Sequence, residues 1–216
     1  MMKQVHILLD KITVNVHSSI RVQAGNTVIY IDPFKLQTVP HDADVIFFTH
    51  DHFDHCSPED VVRASRTDTV FVLPQSCVES TAAVTAGRRV ISVLPGDRGE
   101  VCGMRFEAVP AYNPAKPFHP RKNGWVGYVL TLDGLRLYIA GDTDATDEAA
   151  AVRCDVAMLP IGGKYTMDAA EAAALVNRIK PAVVIPIHYG SVTGTPEDFD
   201  RFAAIVDPAI QVYRLV

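Results

Sequence analysis

Apolar and polar residues alternate over short stretches in the first third of the chain, a pattern that predicts strands. The Gly25-Asn26 pair lies between two such stretches and is typical of a tight hairpin turn. Asp32-Pro33 then ends the last stretch, because proline cannot donate a hydrogen bond to a strand ladder. The pattern therefore predicts a meander of strands near residues 3–9, 12–16, 20–24 and 27–31.

The rest of the chain combines short apolar runs with signals for helix starts and hairpin turns. Ser57-Pro58-Glu59-Asp60 is typical of an N-cap, a first-turn proline and an acidic first turn, so a helix is expected to run to about Ser65. Asp133-Gly134 is a second strong hairpin signal. Further strands are predicted at 45–48, 69–73, 89–93, 98–102, 104–109, 126–132, 135–139, 155–159, 182–187 and 210–215, and further helices at 75–86, 168–179 and from Pro196.

This order of elements favours an α/β protein with four layers. Hairpins followed by alternating strands and helices occur twice, which predicts two sheets packed face to face with helices outside them. A length of 216 residues and a hydrophobic content of 48% are enough for a well-buried core. We therefore expect a single domain over residues 1–216.

Charge and composition narrow the range of partners. The formal charge is −5 and no run of Lys and Arg is present, so a nucleic-acid partner is not expected. The four cysteines form no C-x-x-C pair and are expected to be free thiols, which favours a reducing cytoplasm. The chain shows no signal-peptide pattern and no apolar run of membrane-spanning length, so no membrane partner is expected.

The segment from His50 to His55 is the strongest chemical signal, with three imidazoles and two carboxylates in six consecutive positions after an apolar run. On an extended segment His50 and His52 point to the same side, and the following turn can bring Asp54 and His55 back toward them. Nitrogen and carboxylate ligands suit zinc, and also manganese or iron. The segment therefore predicts a metal site at a strand end, where sites of α/β proteins tend to form.

Two later strand ends carry candidate ligands of the same kind. Asp142 follows the strand predicted at 135–139, and His188 follows the strand predicted at 182–187. The polar, proline-rich segment 110–124 is predicted to be a long functional loop, and it contains His119. His6, His17 and His41 are interpreted as structural or exposed, although His17 beside Ser18 can approach the edge of the site.

The order His50-x-His52-x-Asp54-His55, then Gly141-Asp142, then His188 resembles the metallo-β-lactamase-fold hydrolases. The runs 141–144 and 186–190 are most similar to the small stand-alone hydrolases grouped with ascorbate-6-phosphate lactonase. The resemblance extends over nearly the whole chain and implies an αββα sandwich with a dinuclear site along one edge. It implies the following ligands: His50 and His52 for a first metal, Asp54, His55 and His188 for a second, and Asp142 as a bridge.

One ligand of the family pattern is replaced in this chain. The family supplies a further histidine from the loop after the strand at 104–109, where this chain has Asn113. His119, six residues later, is the favoured replacement, and the alternatives are the carbonyl oxygen of Asn113 or a water molecule.

The resemblance and the ligands together predict hydrolysis by water that two metal ions activate, with zinc expected and manganese or iron as alternatives. Asp54 is expected to orient that water, and Lys122, Lys164 and Tyr165 are candidate contacts to a small-molecule substrate. The leading hypothesis is hydrolysis of a small ester, lactone or phosphorylated metabolite. The alternatives are a phosphodiesterase or nuclease acting on RNA or nucleotides, and a non-catalytic metal-binding protein.

Overall fold

The computed structural model describes residues 2–216 and contains two β-sheets. The first sheet follows chain order, with antiparallel pairing of its first three strands and parallel pairing from the third to the sixth. Three of the four strands of the predicted meander, 12–16, 20–24 and 27–31, are therefore present, and they continue into a parallel half-sheet. Its strands are β1 (Ile12–Val16), β2 (Ser19–Ala24), β3 (Thr27–Ile31), β4 (Ala43–Phe47), β5 (Ser65–Pro74) and β6 (Val90–Val93).

The second sheet repeats this plan in the second half of the chain. Its strands are β7 (Arg98–Val101), β8 (Met104–Pro110), β9 (Val126–Leu132), β10 (Leu135–Ile139), β11 (Val156–Pro160), β12 (Val183–Ile187) and β13 (Gln211–Val212). They lie in chain order across the sheet, antiparallel from β7 to β10 and parallel from β10 to β13. Apart from His119, the candidate ligands follow the carboxyl ends of strands in the parallel parts of the two sheets.

The helices complete four layers. One buried apolar cluster contains side chains of both sheets and fills the space between them, and a second and third cluster lie on the outer faces. Helices α2 (Pro58–Ala64) and α3 (Ala82–Thr85) contribute to the cluster outside the first sheet, and α4 (Asp147–Ala151), α5 (Ala169–Ile179) and α6 (Glu197–Ala203) to the one outside the second. The predicted αββα sandwich is confirmed. No helix within residues 2–216 has both the length and the apolar character needed to span a lipid bilayer.

Three aromatic side chains at the centre of the sandwich fix the base of the ligand loop. The ring centroid of Phe47 lies 4.9 Å from that of Tyr128 and 5.7 Å from that of Phe106. Burial of each such ring stabilises the fold by about 2 kcal/mol. The buried Tyr128 hydroxyl donates to the carbonyl oxygen of Phe48 at 2.8 Å, immediately before the ligand loop begins.

The other end of the ligand loop is fixed by helix α2. The Ser57 side chain accepts a hydrogen bond from the backbone N–H of Asp60, and Pro58 occupies the first turn, as the sequence predicts. The Asp60 carboxylate accepts hydrogen bonds from the backbone N–H groups of Lys35 and Leu36, both at 2.8 Å. The loop therefore runs between two rigid elements, which limits the conformations that it can adopt.

Two secondary-structure predictions are wrong. Residues 3–9, predicted as a strand, belong to helix α1 (Met2–Leu9), which buries Val5, Leu8 and Leu9 at helical spacing. The helix predicted at 75–86 is broken into a 3₁₀ turn at Gln75–Cys77 and the short α3. The hydroxyl of Thr81 donates to the carbonyl oxygen of Cys77 at 2.7 Å, and such local bonds compete with a continuous helix.

Candidate metal centre

The candidate ligands leave strand ends that meet at one edge of the sandwich. Residues 50–55 follow β4, Asp142 follows β10, and His188 follows β12. His119 comes from the long segment between β8 and β9. Because carboxyl ends of parallel strands share a sheet edge, side chains that are distant in the sequence converge here.

His50, His52 and His119 form what we call the first group. One ring nitrogen from each lies within 4.8 Å of the others. The ring centroid of Trp125 lies 5.0 Å from that of His50, 4.8 Å from that of His52 and 5.6 Å from that of His119. The indole therefore packs beside all three imidazoles and restricts their orientations.

Asn113 holds His119 in place. The Asn113 side-chain oxygen accepts hydrogen bonds from the backbone N–H and from Nδ1 of His119, each at 2.9 Å, and the Asn113 backbone N–H donates to the His119 carbonyl oxygen at 2.8 Å. Since that amide oxygen can only accept, His119 carries its proton on Nδ1. The lone pair of Nε2 is left facing the first group. The structure thus brings His119 to the site and makes Asn113 its support.

His17, Asp54, His55 and His188 form what we call the second group, all buried, with one ligand atom from each within 4.8 Å of the others. The Asp54 Oδ2 atom lies 3.1 Å from His17 Nε2, 3.9 Å from His55 Nε2 and 4.0 Å from His188 Nε2. Three of these four residues were predicted as ligands of one metal, and His17 was not.

His17 is a site residue that the sequence interpretation as structural or exposed did not assign. Its side chain is fully buried, and its ring centroid lies 3.8 Å from that of His188. Its carbonyl oxygen accepts the backbone N–H of His188 at 3.0 Å, and both residues have positive φ, 59° and 58°. Uncommon backbone conformations of this kind cluster at functional sites. The sequence signals were weak: its place at a strand end, which many surface histidines share, and its position beside Ser18, from which it can approach the edge of the site.

Asp142 lies between the two groups. Its Oδ1 atom is 3.2 Å from His55 Nε2, and its Oδ2 atom is 3.3 Å from His119 Nε2 and 3.0 Å from His188 Nε2. Gly141 permits this close approach, because φ is 65° and a Cβ atom there would lie 3.0 Å from both Thr49 Cβ and the Val126 carbonyl oxygen. One carboxylate therefore touches histidines of both groups, as a bridging ligand does.

Asp32 supports the ligand loop from beneath. Its carboxylate accepts the backbone N–H of Thr49 at 2.8 Å and the Thr49 hydroxyl at 2.6 Å. It also lies 2.7 Å from His55 Nδ1. His55 therefore donates its Nδ1 proton to the Asp32 carboxylate, and Nε2 is the ring nitrogen that faces the second group.

The buried polar atoms of the site fit a bound metal ion. Buried polar atoms almost always have hydrogen-bond partners, and each one without a partner needs an explanation. Four imidazole Nε2 atoms and one carboxylate oxygen lack any partner here, and all five face the space between the two groups. They belong to His50, His55, His119, His188 and Asp142. Lone pairs of this type are the ligands that zinc, manganese and iron prefer.

Comparison with known proteins places this site in a family. The model of the beta-lactamase superfamily domain matches residues 11–188 of the chain. The chain belongs to the beta-lactamase superfamily. The match begins before β1 and ends at His188, so it contains every residue of the two groups.

Relatives of this superfamily domain extend over most of the chain. A metal-dependent hydrolase of Thermoplasma acidophilum is 32% identical over 192 residues, which is 84% of this chain and 84% of that protein. Another, of Alkaliphilus metalliredigens, is 33% identical over 215 residues, covering 85% of this chain and 88% of that protein. The branch that contains ascorbate-6-phosphate lactonase is not among these, and that part of the resemblance stays a prediction.

Solved structures of superfamily members share the fold. A Parabacteroides distasonis protein assigned as a metal-dependent hydrolase has a TM-score of 0.77 and 32% identity, covering 94% of this chain and 91% of that one. The metallo-beta-lactamase fold protein YhfI of Bacillus subtilis has a TM-score of 0.74 at 10% identity, covering 94% and 91%. At that identity the second likeness concerns the fold alone.

Burial and charge shift the pKa values of the superfamily site in opposite directions. Burial lowers the pKa of His50 well below its ordinary value. Burial acts in the same sense on His55, but the Asp142 and Asp32 carboxylates outweigh it and raise the pKa of His55 well above its usual range. Burial would raise the pKa of Asp142, but the adjacent His188 and His55 lower it well below its usual range.

The carboxylate of Asp54 is kept ionised. Burial alone would raise its pKa, but the hydrogen bond from His17 and the charge of His55 lower it to about 2. Burial lowers the pKa of His17 itself to about 4 against the opposing effect of the Asp54 hydrogen bond. At neutral pH Asp54 is therefore charged, and His17 is a neutral donor to it.

A cavity of about 530 Å³ opens onto the site. His52, Asp54, His119, Asp142 and His188 line its base. This volume is in the range of small-molecule sites in proteins.

Of the three predicted substrate contacts, one lines this cavity and two do not. Tyr165 lines it, whereas the structure does not bring Lys122 or Lys164 into its wall. Lys122 lies exposed in a 3₁₀ turn, Arg121–Asn123. Lys164 is also exposed, and its Nζ atom lies 4.6 Å from the centre of the Tyr165 ring. A buried position in the cavity wall would remove water from an ammonium group. In their exposed positions both ammonium groups stay hydrated.

Proposed function

We propose that this chain is a hydrolase that holds two metal ions and cleaves a small ester, lactone or phosphorylated metabolite with water. The single observation that carries the proposal is the position of Asp142, within 3.0 to 3.3 Å of unpaired nitrogen atoms of both groups. Relatives with more than 30% identity that carry the name metal-dependent hydrolase support the coarser part, a metal-dependent hydrolase.

The donor set favours zinc, with manganese or iron as the alternatives. The first group offers three imidazoles, and the second offers imidazoles and the Asp54 carboxylate, with Asp142 shared between them. Zinc in such a site lowers the pKa of a bound water to about 7 and polarises a carbonyl or phosphoryl oxygen.

Asp54 is proposed as the residue that orients the attacking water. Its Oδ2 atom accepts the hydrogen bond from neutral His17, which fixes the carboxylate plane. The carboxylate also lines the base of the cavity, so its other oxygen can accept a hydrogen bond from a water molecule there. With a pKa of about 2 it stays ionised at neutral pH and so remains an acceptor for a hydrogen bond from that water.

The cavity also excludes solvent from one side of the reacting group. Phe53 and Phe118 stand at its walls, and water leaves when an apolar part of a substrate fills the space between such side chains. The phosphodiesterase alternative needs cations along the path of a nucleic-acid backbone, and no Lys or Arg lines this cavity within residues 2–216. We also propose a cytoplasmic location, which the four unpaired cysteines favour.

The test combines metal content with turnover. Protein prepared without added metal should bind two equivalents of zinc, and the loaded protein should hydrolyse at least one of a panel of lactones, acyl esters and phosphodiesters. Asp54→Ala should lose that turnover, and His119→Ala should bind one equivalent instead of two. His6→Ala, a change of an exposed histidine outside both groups, serves as the control. Full turnover by Asp54→Ala, or two equivalents bound by His119→Ala, would contradict the proposal.

A further inference from the structure

The walls of the cavity differ sharply from its base. Above the ligand residues, the wall consists of uncharged and mostly apolar side chains: Phe53, Pro117, Phe118, Tyr165 and Val192. Phe53 is 69% exposed and Phe118 is 37% exposed, although both are large and apolar. A group of exposed apolar side chains beside buried polar ones is typical of a binding site for a ligand with an apolar part.

The exposed aromatic rings of the cavity wall are held in place by packing against other rings. The Phe118 ring packs edge-on against Tyr165, with centroids 4.8 Å apart, and the Phe53 ring packs edge-on against Phe34 at 6.1 Å. The backbone carbonyl of Tyr165 also lies 3.2 Å from His119 Nδ1. The apolar wall and the first group are therefore parts of one connected structure.

Two basic side chains near the cavity are bound elsewhere, and the exposed Lys164 packs against the Tyr165 ring without being part of the cavity lining. Lys116 Nζ lies 2.7 Å from both the Asp144 carboxylate and the Thr166 carbonyl oxygen, and Arg121 lies 2.7 Å from the Glu148 carboxylate. Within residues 2–216 the cavity lining includes no Lys or Arg. If the part of a substrate that lies against the apolar wall carried a phosphate or a carboxylate, that group would lose its hydration shell and gain no Lys or Arg partner. Its burial would therefore cost free energy.

We propose that the substrate is a neutral carboxylic ester or lactone whose acyl chain is apolar, and that Phe53, Phe118 and Val192 select it. This inference rests on the proposed hydrolytic function and narrows it, because it excludes phosphorylated metabolites. Water attacks the acyl carbon and the bond from that carbon to the alkoxy oxygen breaks, and of the two water protons one goes to the alkoxy oxygen and the other is released to solvent. The products are a carboxylate and an alcohol, and no reactant other than water is needed.

The first test uses substrates that differ in one charge. p-Nitrophenyl butyrate and mono-p-nitrophenyl succinate have the same leaving group and the same acyl length, but the second ends in a carboxylate. The zinc-loaded protein should show at least about 20-fold higher kcat/KM for the butyrate. From acetate to butyrate and hexanoate, kcat/KM should rise by about fourfold for each methylene that is buried. An equal or higher rate with the succinate, or with p-nitrophenyl phosphate, would overturn the inference.

The second test changes the wall. Phe53→Ser and Phe118→Ser should each lower the ratio of kcat/KM for hexanoate to kcat/KM for acetate by about tenfold. Val62→Ser, a change of an exposed valine on helix α2, is the matched control and should leave this ratio unchanged. Val192→Lys should raise kcat/KM for the succinate relative to the butyrate by about tenfold, because it supplies the missing cation. Wall variants that leave the ratio of hexanoate to acetate unchanged would contradict the assignment.

A binding measurement separates this inference from the proposed function. In saturation-transfer NMR with metal-free protein, the acyl protons of ethyl hexanoate should receive saturation, and this transfer should fall in Phe53→Ser. Monoethyl succinate should receive less. If the loaded protein hydrolyses none of the compounds, the proposed function fails, and the NMR result still decides the inference: stronger transfer to the succinate overturns it.

Discussion

The two ligand groups reach the same edge of the sandwich by different routes. The second group takes Asp54 and His55 from the loop that also supplies His50 and His52, and it takes His17 and His188 from the ends of β1 and β12, with all four side chains buried. The first group takes His50 and His52 from one short loop and His119 from a long segment between two strands, and His52 is partly exposed. Strand ends fix positions through sheet packing, whereas a long segment must be fixed by its own hydrogen bonds.

The supports of the two groups differ in the same way. His55 of the second group is oriented by Asp32, which also binds Thr49 and so belongs to the frame of the first sheet. His119 of the first group is oriented by Asn113, a residue of the same segment. We therefore expect the second group to bind its metal ion more tightly than the first group. We also expect substitutions to weaken metal binding more easily at the first group.

The largest expected effect comes from removing the residue that the two groups share. Asp142→Ala should reduce metal binding at both positions and lower kcat/KM by at least about 1,000-fold, because one carboxylate contacts both groups. Metal analysis and steady-state kinetics measure this. Asp144→Asn, which alters a carboxylate two residues away that binds Lys116, is the control. Loss of metal from only one position would show that Asp142 does not bridge.

The burial of the second group can be tested through its pH dependence. The pKa of His17 is about 4 in the folded protein against an ordinary 6.5, so between these values the unfolded chain binds the proton more readily. The free energy of unfolding of metal-free protein should therefore fall as the pH falls from 6.5 to 4, by at most about 3 kcal/mol for this group.

Urea unfolding at pH 7.5 and pH 4.5 measures this loss. His17→Gln lacks the titrating ring and should lose less stability than the wild type between the two pH values. His6→Gln removes an exposed imidazole and should follow the wild type. Equal losses in the wild type and in His17→Gln would remove His17 from the explanation.

The next largest effect is expected from changing Asp32, the residue that orients His55 of the second group. Asp32→Asn presents an amide N–H₂ group to His55 Nδ1 in place of a carboxylate oxygen, which favours the wrong tautomer. Metal affinity at the second position should fall by about 10- to 100-fold, and the first position should lose less, because Asp32 reaches His50 only through the Thr49 hydroxyl, which lies 3.0 Å from His50 Nδ1. Competition with a chelator measures both. Asp42→Asn, which changes a carboxylate bound to Tyr30 and Arg21, should match the wild type.

The support of the first group gives the smallest effect. Asn113→Ala removes the acceptor of the His119 Nδ1 proton and should weaken metal binding at the first position by about tenfold. Asn113→Asp keeps an acceptor there and should restore most of the affinity. Asn123→Ala, in the same segment, is the control. If Asn113→Ala weakened the second position more than the first, the division into two groups would be wrong.

Much of the fold follows from local patterns. Strands β2, β3, β9 and β10 lie within one residue of their predicted bounds, since alternation and the turn pairs Gly25-Asn26 and Asp133-Gly134 act over a few residues. The strand prediction for residues 3–9 is wrong because, over so few residues, the apolar positions fit both the helical period of 3.6 and the strand period of 2. Packing of Val5, Leu8 and Leu9 into the core between the sheets decided in favour of the helix.

The chain by itself determined the ligand types and the strand ends that carry them, because the His50–His55 run and the positions of Asp142 and His188 depend only on local order. Tertiary structure decided what no local pattern contains. Sheet packing placed His17 against Asp54 and His188, and the fold of the 110–124 segment made Asn113 the support of His119. It also put Phe53, Phe118 and Val192 around one cavity. Each of these depends on distances between residues remote in sequence, which only the packed chain fixes.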